Sequence, residues 1–323
     1  MSLGAYLVKR VIYSIPLMLG AITIIFALIH AAPGEPTDYI IGDASVSQEF
    51  IDRLRREMGL DQPLYIQLGK YILEVMTGNF GFSYIRNTPV IALILDRLPA
   101  TLLLMATQYV VAILVGIYLG VVSARRPNSL LDRGITIFSL AAFAIPLFWL
   151  GQMLILTVAY RLDWFPIQGM VSIRHGYTGF AYVLDVAHHL FLPALTLALP
   201  NIALILRLTR SSMIEVIGQE YIKVARAKGL SERSVLFKHA LRNALIPVVT
   251  VVSLHLPTLI AGAVLTETVF AWPGLGRLTF DAIHARDYPL LMGMFIFISV
   301  VVIVGNLIAD LLYAILDPRI RYQ

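Results

Sequence analysis

Apolar residues run along this chain in long blocks, and its charges fall between them. Six blocks, 11–32, 98–122, 134–160, 190–206, 243–266 and 288–309, contain no Lys, Arg, Asp or Glu. A helix crosses a bilayer core of about 30 Å in roughly 20 residues, so each block predicts a transmembrane helix, the shortest (190–206) least firmly. Block 11–32 has a basic start and small residues at its end, like a secretory signal. Its apolar run exceeds the roughly 7–15 residues of such a signal, so it is expected to stay as a span.

Two polar stretches carry helical patterns of their own. In 33–97, Ser45 and Gln48 match a capping box ahead of Phe50, Ile51, Leu54 and Met58, which recur at helical spacing. Gly59 sits where a left-handed residue ends a helix, and Pro63 suits the start of the next. Leu64, Leu68, Tyr71, Ile72 and Val75 give that second helix one apolar face, and Gly78-Asn79 ends it. Thr88-Pro89 predicts an N-cap and first helical residue leading into 98–122. In 211–242, one amphipathic helix runs to Lys228, Gly229 provides a left-handed turn, and Ser231 caps a second helix. Val235, Leu236, Ala240 and Leu241 form that helix's apolar side, and Arg226, Lys228, Arg233, Lys238 and Arg242 cover the other surfaces.

Composition agrees with the blocks: 58% of residues are hydrophobic and 14% charged, the signature of an integral membrane protein. The net charge of +5 changes the picture through its distribution. Lys9, Arg10, Arg125, Arg126, Arg133, Arg207, Arg210, the bases of 223–242, Arg319 and Arg321 all fall on one side of the six blocks, and acidic residues prevail on the other. The positive-inside rule makes the first side, with both termini, cytoplasmic and leaves 33–97 external. The charge needs no nucleic acid to explain it. The expected fold is an all-α membrane protein: six transmembrane helices, an external helical insertion and a cytoplasmic helix-turn-helix. Its domains are 1–32, 33–97, a core of 98–316 that includes the loop 211–242, and a tail 317–323.

Candidate chemistry is sparse. The sequence holds no G-x-x-x-x-G-K-[ST] phosphate loop, H-E-x-x-H, G-x-S-x-G or EF-hand series. Without cysteine, thiolate metal sites and thiol nucleophiles are excluded. His188 and His189 are adjacent and diverge by about 100° on a helix, which makes them poor joint metal ligands. Ion-driven carriers hold ionisable groups inside their spans, whereas only His30, His255 and Asp310 come close here. The uncharged polar residues Gln108, Gln152, Asn201, His255 and Asn306 either bond between helices or line a solute path. Prolines 146, 193, 200, 247 and 257 break or kink the spans. The basic hairpin in 211–242 is either a surface that grips a partner or an element lying on anionic headgroups. Trp272 with the turn Pro273-Gly274 either lines the external mouth or anchors at the membrane surface.

The string ARAKGLSERSVLFKHALRNALIPVV (225–249) resembles the coupling loop of ABC importer permeases, and more closely their dipeptide/oligopeptide/nickel branch. Ala225, Gly229 and Leu241 match the general family pattern. Lys223 replaces its Glu, as is usual in that branch, and Arg242 replaces its Pro. The beginning YLVKRVIYSIPLMLGAITIIFALIHAAPGEP, the stretch TETVFAWPGLGRL (266–278) and the terminal DPRIR are similar to the same branch, so the resemblance covers nearly the whole chain.

The resemblance implies a pore-forming subunit that is no enzyme itself. It implies a second homologous permease, two cytoplasmic ABC ATPases that bind ATP and Mg, and an external solute-binding protein. The ATPase-coupling residues would be Lys223, Ala225, Arg226, Ala227, Gly229, Leu230, Ser231 and Glu232. Trp272, Pro273, Gly274, Leu275 and Gly276 would face the external mouth or the binding protein. The solute expected first is a di- or oligopeptide, ahead of an oligosaccharide or a nickel chelate. An ion-coupled carrier and a membrane-anchored assembly protein are the rival classes.

Overall fold

Backbone N–H and C=O groups in hydrocarbon must be satisfied within their own segment, which leaves helix as the structure for the apolar blocks. The computed structural model describes residues 3–31, 48–57, 59–174, 176–255 and 262–316, and helices dominate it. Five described helices are long and apolar enough to cross a membrane, or six if one bent pair counts as a single span. Ser45, Met58, Pro257, the outer end of block 243–266's helix and the tail with Arg319 and Arg321 lie outside the described residues. So do the side chains of Phe50, Ile51, Leu54 and His255.

The described residues form two compact units. The first joins the two ends of the chain: residues up to Pro99, those from Gly274 onward, and a few around Val264. It contains α1 (Leu3–His30), α2 (Gln48–Glu57), α3 (Leu64–Met76), strands β1 (Phe82–Ser83) and β2 (Thr88–Pro89), the start of α4 (Val90–Arg125), α12 (Leu275–Ala285) and α13 (Tyr288–Leu316). Val75 of α3, Ile22 of α1 and Ile296 of α13 share a core, with Leu68, Tyr71 and Ile72 packed on it. The apolar face read from the sequence is therefore the buried face, except for Leu64, which is exposed. Gly59 is left-handed (φ +67), and α3 starts directly after Pro63.

Thr88-Pro89 departs from expectation. Instead of capping a helix it pairs antiparallel with Phe82-Ser83, and α4 begins at Val90. Thr88's hydroxyl turns to the Arg86 carbonyl, and Asn87 takes the left-handed conformation a tight hairpin needs. The hairpin is pinned from below, where buried Ser83 donates to Asp287 Oδ2 at 2.5 Å. Asp287 also accepts from the Leu290 N–H and so caps α13.

The second unit holds α4 from Ala100, α5 (Leu130–Ala144), α6 (Leu147–Leu154) with a π-helical continuation Ile155–Arg161, and α7 (Gly179–Ile217). It continues with α8 (Glu220–Ala227), α9 (Glu232–Ser234), a π turn Val235–Ala240, α10 (Leu241–His255) and most of α11 (Val264–Val269). Block 134–160 is not one straight helix: α5 and α6 meet at 104°. Pro146 supplies the cause, since it has no N–H to continue the ladder and forces Ile145 into extended backbone (ψ 127). Block 190–206 errs in the other direction. Its helix α7 extends from Gly179 to Ile217, because the polar residues at both ends find partners inside the unit.

α7 is the hub of this unit. An added Cβ at Gly116 would fall 2.8 Å from Ile205 Cβ, and one at Gly120 would fall 2.6 Å from Thr209 Cβ. The two glycines let α4 approach α7 closely, as small residues do between membrane helices. Ala112, Ala198, Ile202, Ile205 and Val248 fill the adjoining core.

Candidate functional site

The segment 219–241 folds into a hairpin whose two sides differ sharply. Ile222, Ala225, Val235, Leu236 and Ala240 are buried against Val121 and Ala124 of α4 and Met213 of α7. The i→i+5 ladder of the π turn puts Val235 and Ala240 on one line, so both enter that core. Gly229 adopts φ +77, as the turn requires, and its N–H bonds the Arg226 carbonyl at 2.9 Å. Ser231 caps the second helix by accepting from the Ser234 N–H. In place of the separate second helix expected from sequence, α9, the π turn and α10 run on continuously.

The outward side is mixed. Val224 (52% exposed), Leu230 (40%) and Phe237 (48%) stand among exposed Lys223, Lys228, Arg233 and Lys238. Arg226 grips Glu232 across the turn with two bonds of 2.7 and 3.2 Å, and this hydrogen-bonded carboxylate raises the guanidinium's pKa further. So exposed a pair adds little stability, and it spans the turn. Asn243 donates to the Tyr221 hydroxyl at 2.7 Å and ties α8 to α10.

An ion-pair cluster that the block pattern does not reveal lies in the same unit. Arg210 of α7 holds Asp132 of α5 through two bonds of 2.7 Å, and Ser123 of α4 and the Asn128 N–H complete the carboxylate's shell. Three helices meet at this buried carboxylate. Its local signal was present in the sequence: Ser129 caps α5 and accepts from the Asp132 N–H three residues on.

The other candidates separate. Asn201 donates to Gln108 Oε1 at 3.2 Å and to the Leu197 carbonyl at 3.0 Å, and Gln108 is 1% exposed, so this pair bonds between helices. Gln152 is exposed beside a shallow pocket of about 280 Å³ with Leu156, Tyr160 and Val269, and Asn306 is exposed on α13. Trp272, expected either at the external mouth or as a membrane-surface anchor, is instead fully buried, its Nε1 donating to the Ala100 carbonyl at 2.9 Å. In the first unit Leu275 is likewise buried, and Gly276 lies against the Val264 backbone, where a Cβ would fall 2.7 Å from Val264 Cα. Pro273 is partly exposed. A cleft of about 1230 Å³ in the first unit, lined by His30, Arg55, Lys70, Tyr71, Glu74 and Tyr288 among others, had no sequence signal. No group of three or more His, Asp or Glu suited to a metal occurs among the described residues.

Comparison with known proteins gives the family. Residues 112–322 match the family described as binding-protein-dependent transport system inner membrane component, and residues 3–105 match its N-terminal companion. The oligopeptide transport system permease protein AppB of Bacillus subtilis is 45% identical over 321 residues, covering 99% of this chain and 100% of the relative. The dipeptide transport system permease protein DppB of Escherichia coli K12 is 39% identical, covering 98% and 99%. A di/tripeptide transport system permease protein of Pseudomonas aeruginosa is also 39% identical, covering 99% of each.

Proposed function

The chain belongs to the binding-protein-dependent transport system inner membrane components, and from that membership we propose that it is the pore-forming permease of an ATP-driven importer of di- or oligopeptides. The observation that carries the coupling role is the two-sided hairpin: locked to α4 and α7 within, apolar and basic without. A headgroup-binding element needs charge and depth of insertion, not a fixed turn. A protein groove needs shape, and the left-handed Gly229 and the Ser231 cap fix shape.

In this reading the hairpin lies on the cytoplasmic side with both termini, and 33–97 lies outside in the cell membrane. Two ATPase subunits bind ATP and Mg and press on Lys223, Ala225, Arg226, Ala227, Gly229, Leu230, Ser231 and Glu232. Ala225 serves from the inner face, by seating α8. A second homologous permease completes the path, and an external binding protein delivers the peptide. The turn 272–276 shapes the external mouth by its packing, with Pro273 the member left open to contact. Because energy enters by mechanical contact, this chain needs no ATPase motif. Coupling then amounts to a bias on a two-state bundle through differential contacts.

The test compares Gly229→Val with a Lys228/Arg233/Lys238 charge-neutralised variant in reconstituted transport and ATPase pull-down. A β-branched residue at positive φ costs roughly 1–2 kcal/mol or more and alters the turn. Gly229→Val is expected to insert normally, lose ATPase association and abolish uptake. Normal ATPase binding and uptake in that variant would remove the coupling role.

A further inference from the structure

α7 is the most buried candidate span among the described residues, with 67% of its apolar stretch covered against 28% or less in the others. One stripe of it nevertheless stays partly open: Pro200, Leu204, Arg207 and Ser211, three or four residues apart. Arg207 is the anomaly in that stripe. One turn on, Arg210 is neutralised by Asp132, but no carboxylate among the described residues lies within ion-pair range of Arg207.

Its guanidinium points back along α7, towards Ala203. Helix geometry tilts a side chain towards the N-terminus, here away from the polar 211–242 end. Long cationic side chains near a span's end usually snorkel to water. This one instead donates from Nε to the Ala203 carbonyl at 3.3 Å, and its Cζ sits 4.9 Å from the centre of the Phe143 ring. Phe143 is itself 58% exposed, so ring and cation share an open face. One carbonyl leaves most of the guanidinium's donors unused, including the fork that matches a carboxylate. At the end of a span, a cation without a carboxylate partner that faces an open side fits the water-filled mouth of a path.

We propose that Arg207, backed by Phe143, is a carboxylate-reading residue of the solute path, taking the C-terminal carboxylate of a passing peptide. This rests on the peptide-import reading for its solute. The Phe143 ring holds the cation without neutralising it, so the carboxylate is bound and released instead of trapped.

The experiment exploits the absence of cysteine. Leu204→Cys, one turn from Arg207, is placed in the full transporter with its other chains made cysteine-free. It is reacted from water with methanethiosulfonates carrying either a sulfonate or a trimethylammonium group. A nearby fixed cation in partly aqueous surroundings is expected to favour the sulfonate by about tenfold. Arg207→Gln is expected to abolish the preference and Arg207→Lys to keep part of it. Failure to label from water, or a preference untouched by Arg207→Gln, overturns the proposal.

A second arm measures uptake of a tripeptide and its C-terminal amide, each presented on saturating loaded binding protein. Arg207→Gln is expected to cut free-acid uptake about tenfold, the worth of one lost charge-assisted pair, and to leave amide uptake nearly unchanged. Equal losses for both would show a structural role and overturn the proposal. If the unaltered transporter imports neither peptide, the peptide reading fails, and the labelling ratio still decides whether Arg207 reads anions.

Discussion

At the scale of single residues, the Asp132–Arg210 pair invites the sharpest stability prediction. Asp132 is 3% exposed at its side chain and Arg210 28%, so removing the carboxylate strands a mostly buried guanidinium. Asp132→Ala is expected to lower the stability of the purified protein by about 2–3 kcal/mol. Arg210→Lys should lose less, because a lysine still supplies charge but cannot make the two-bond fork. Denaturant unfolding in detergent checks the order. At Gly229 the left-handed φ distinguishes two substitutions: Asn tolerates that region and should retain ATPase pull-down, whereas Val should not. Both features differ in how far the sequence revealed them. Gly229 and Ser231 were legible because turn chemistry is local. The Asp132–Arg210 pair joins residues 78 apart, and no local rule connects them. Trp272 misled for the same reason: its indole found the Ala100 carbonyl, 172 residues away, in place of either the external mouth or the membrane surface that Trp favours on average.

Among elements, the close crossing of α4 and α7 depends on Gly116 and Gly120. Leucine at Gly120 would drive its side chain into Thr209 and the Leu206 carbonyl, 2.6 and 2.9 Å from the first added carbon. Gly120→Leu is therefore expected to cost at least the roughly 1–3 kcal/mol of overpacking and to reduce the folded yield. Gly134→Leu, with nothing within 4 Å, is the matched control and should leave yield unchanged. Fluorescence-detected size exclusion of the two variants separates the cases. Apolar blocks made the existence of these helices plain, but their ends were less so. Pro146 was visible as a breaker, yet whether a proline kinks a span or turns it by 104° depends on what the next segment packs against. Here Gly151 of α6 lets the Phe270 ring approach to 3.0 Å from where a Cβ would lie, a contact invisible to hydropathy.

For the whole molecule, the charge asymmetry predicts one orientation, with both termini in the cytoplasm. Reporters fused after Gln323 and within 211–242 should both register the cytoplasm, and one near Thr77 the outside. An external C-terminus would overturn the six-span arrangement. The first unit has a further consequence, one of timing. Its core joins α1 to α13, and its hairpin is held by a bond between Ser83 and Asp287, 204 residues apart. The ribosome finishes every residue of the second unit before it makes α13, so that unit can pack while the first still lacks its last helix. Until α13 emerges, Ser83 has no Asp287, and the α1 surface around Ile22 has no Ile296. A chain released early therefore exposes an unpartnered polar hairpin and a bare helix face.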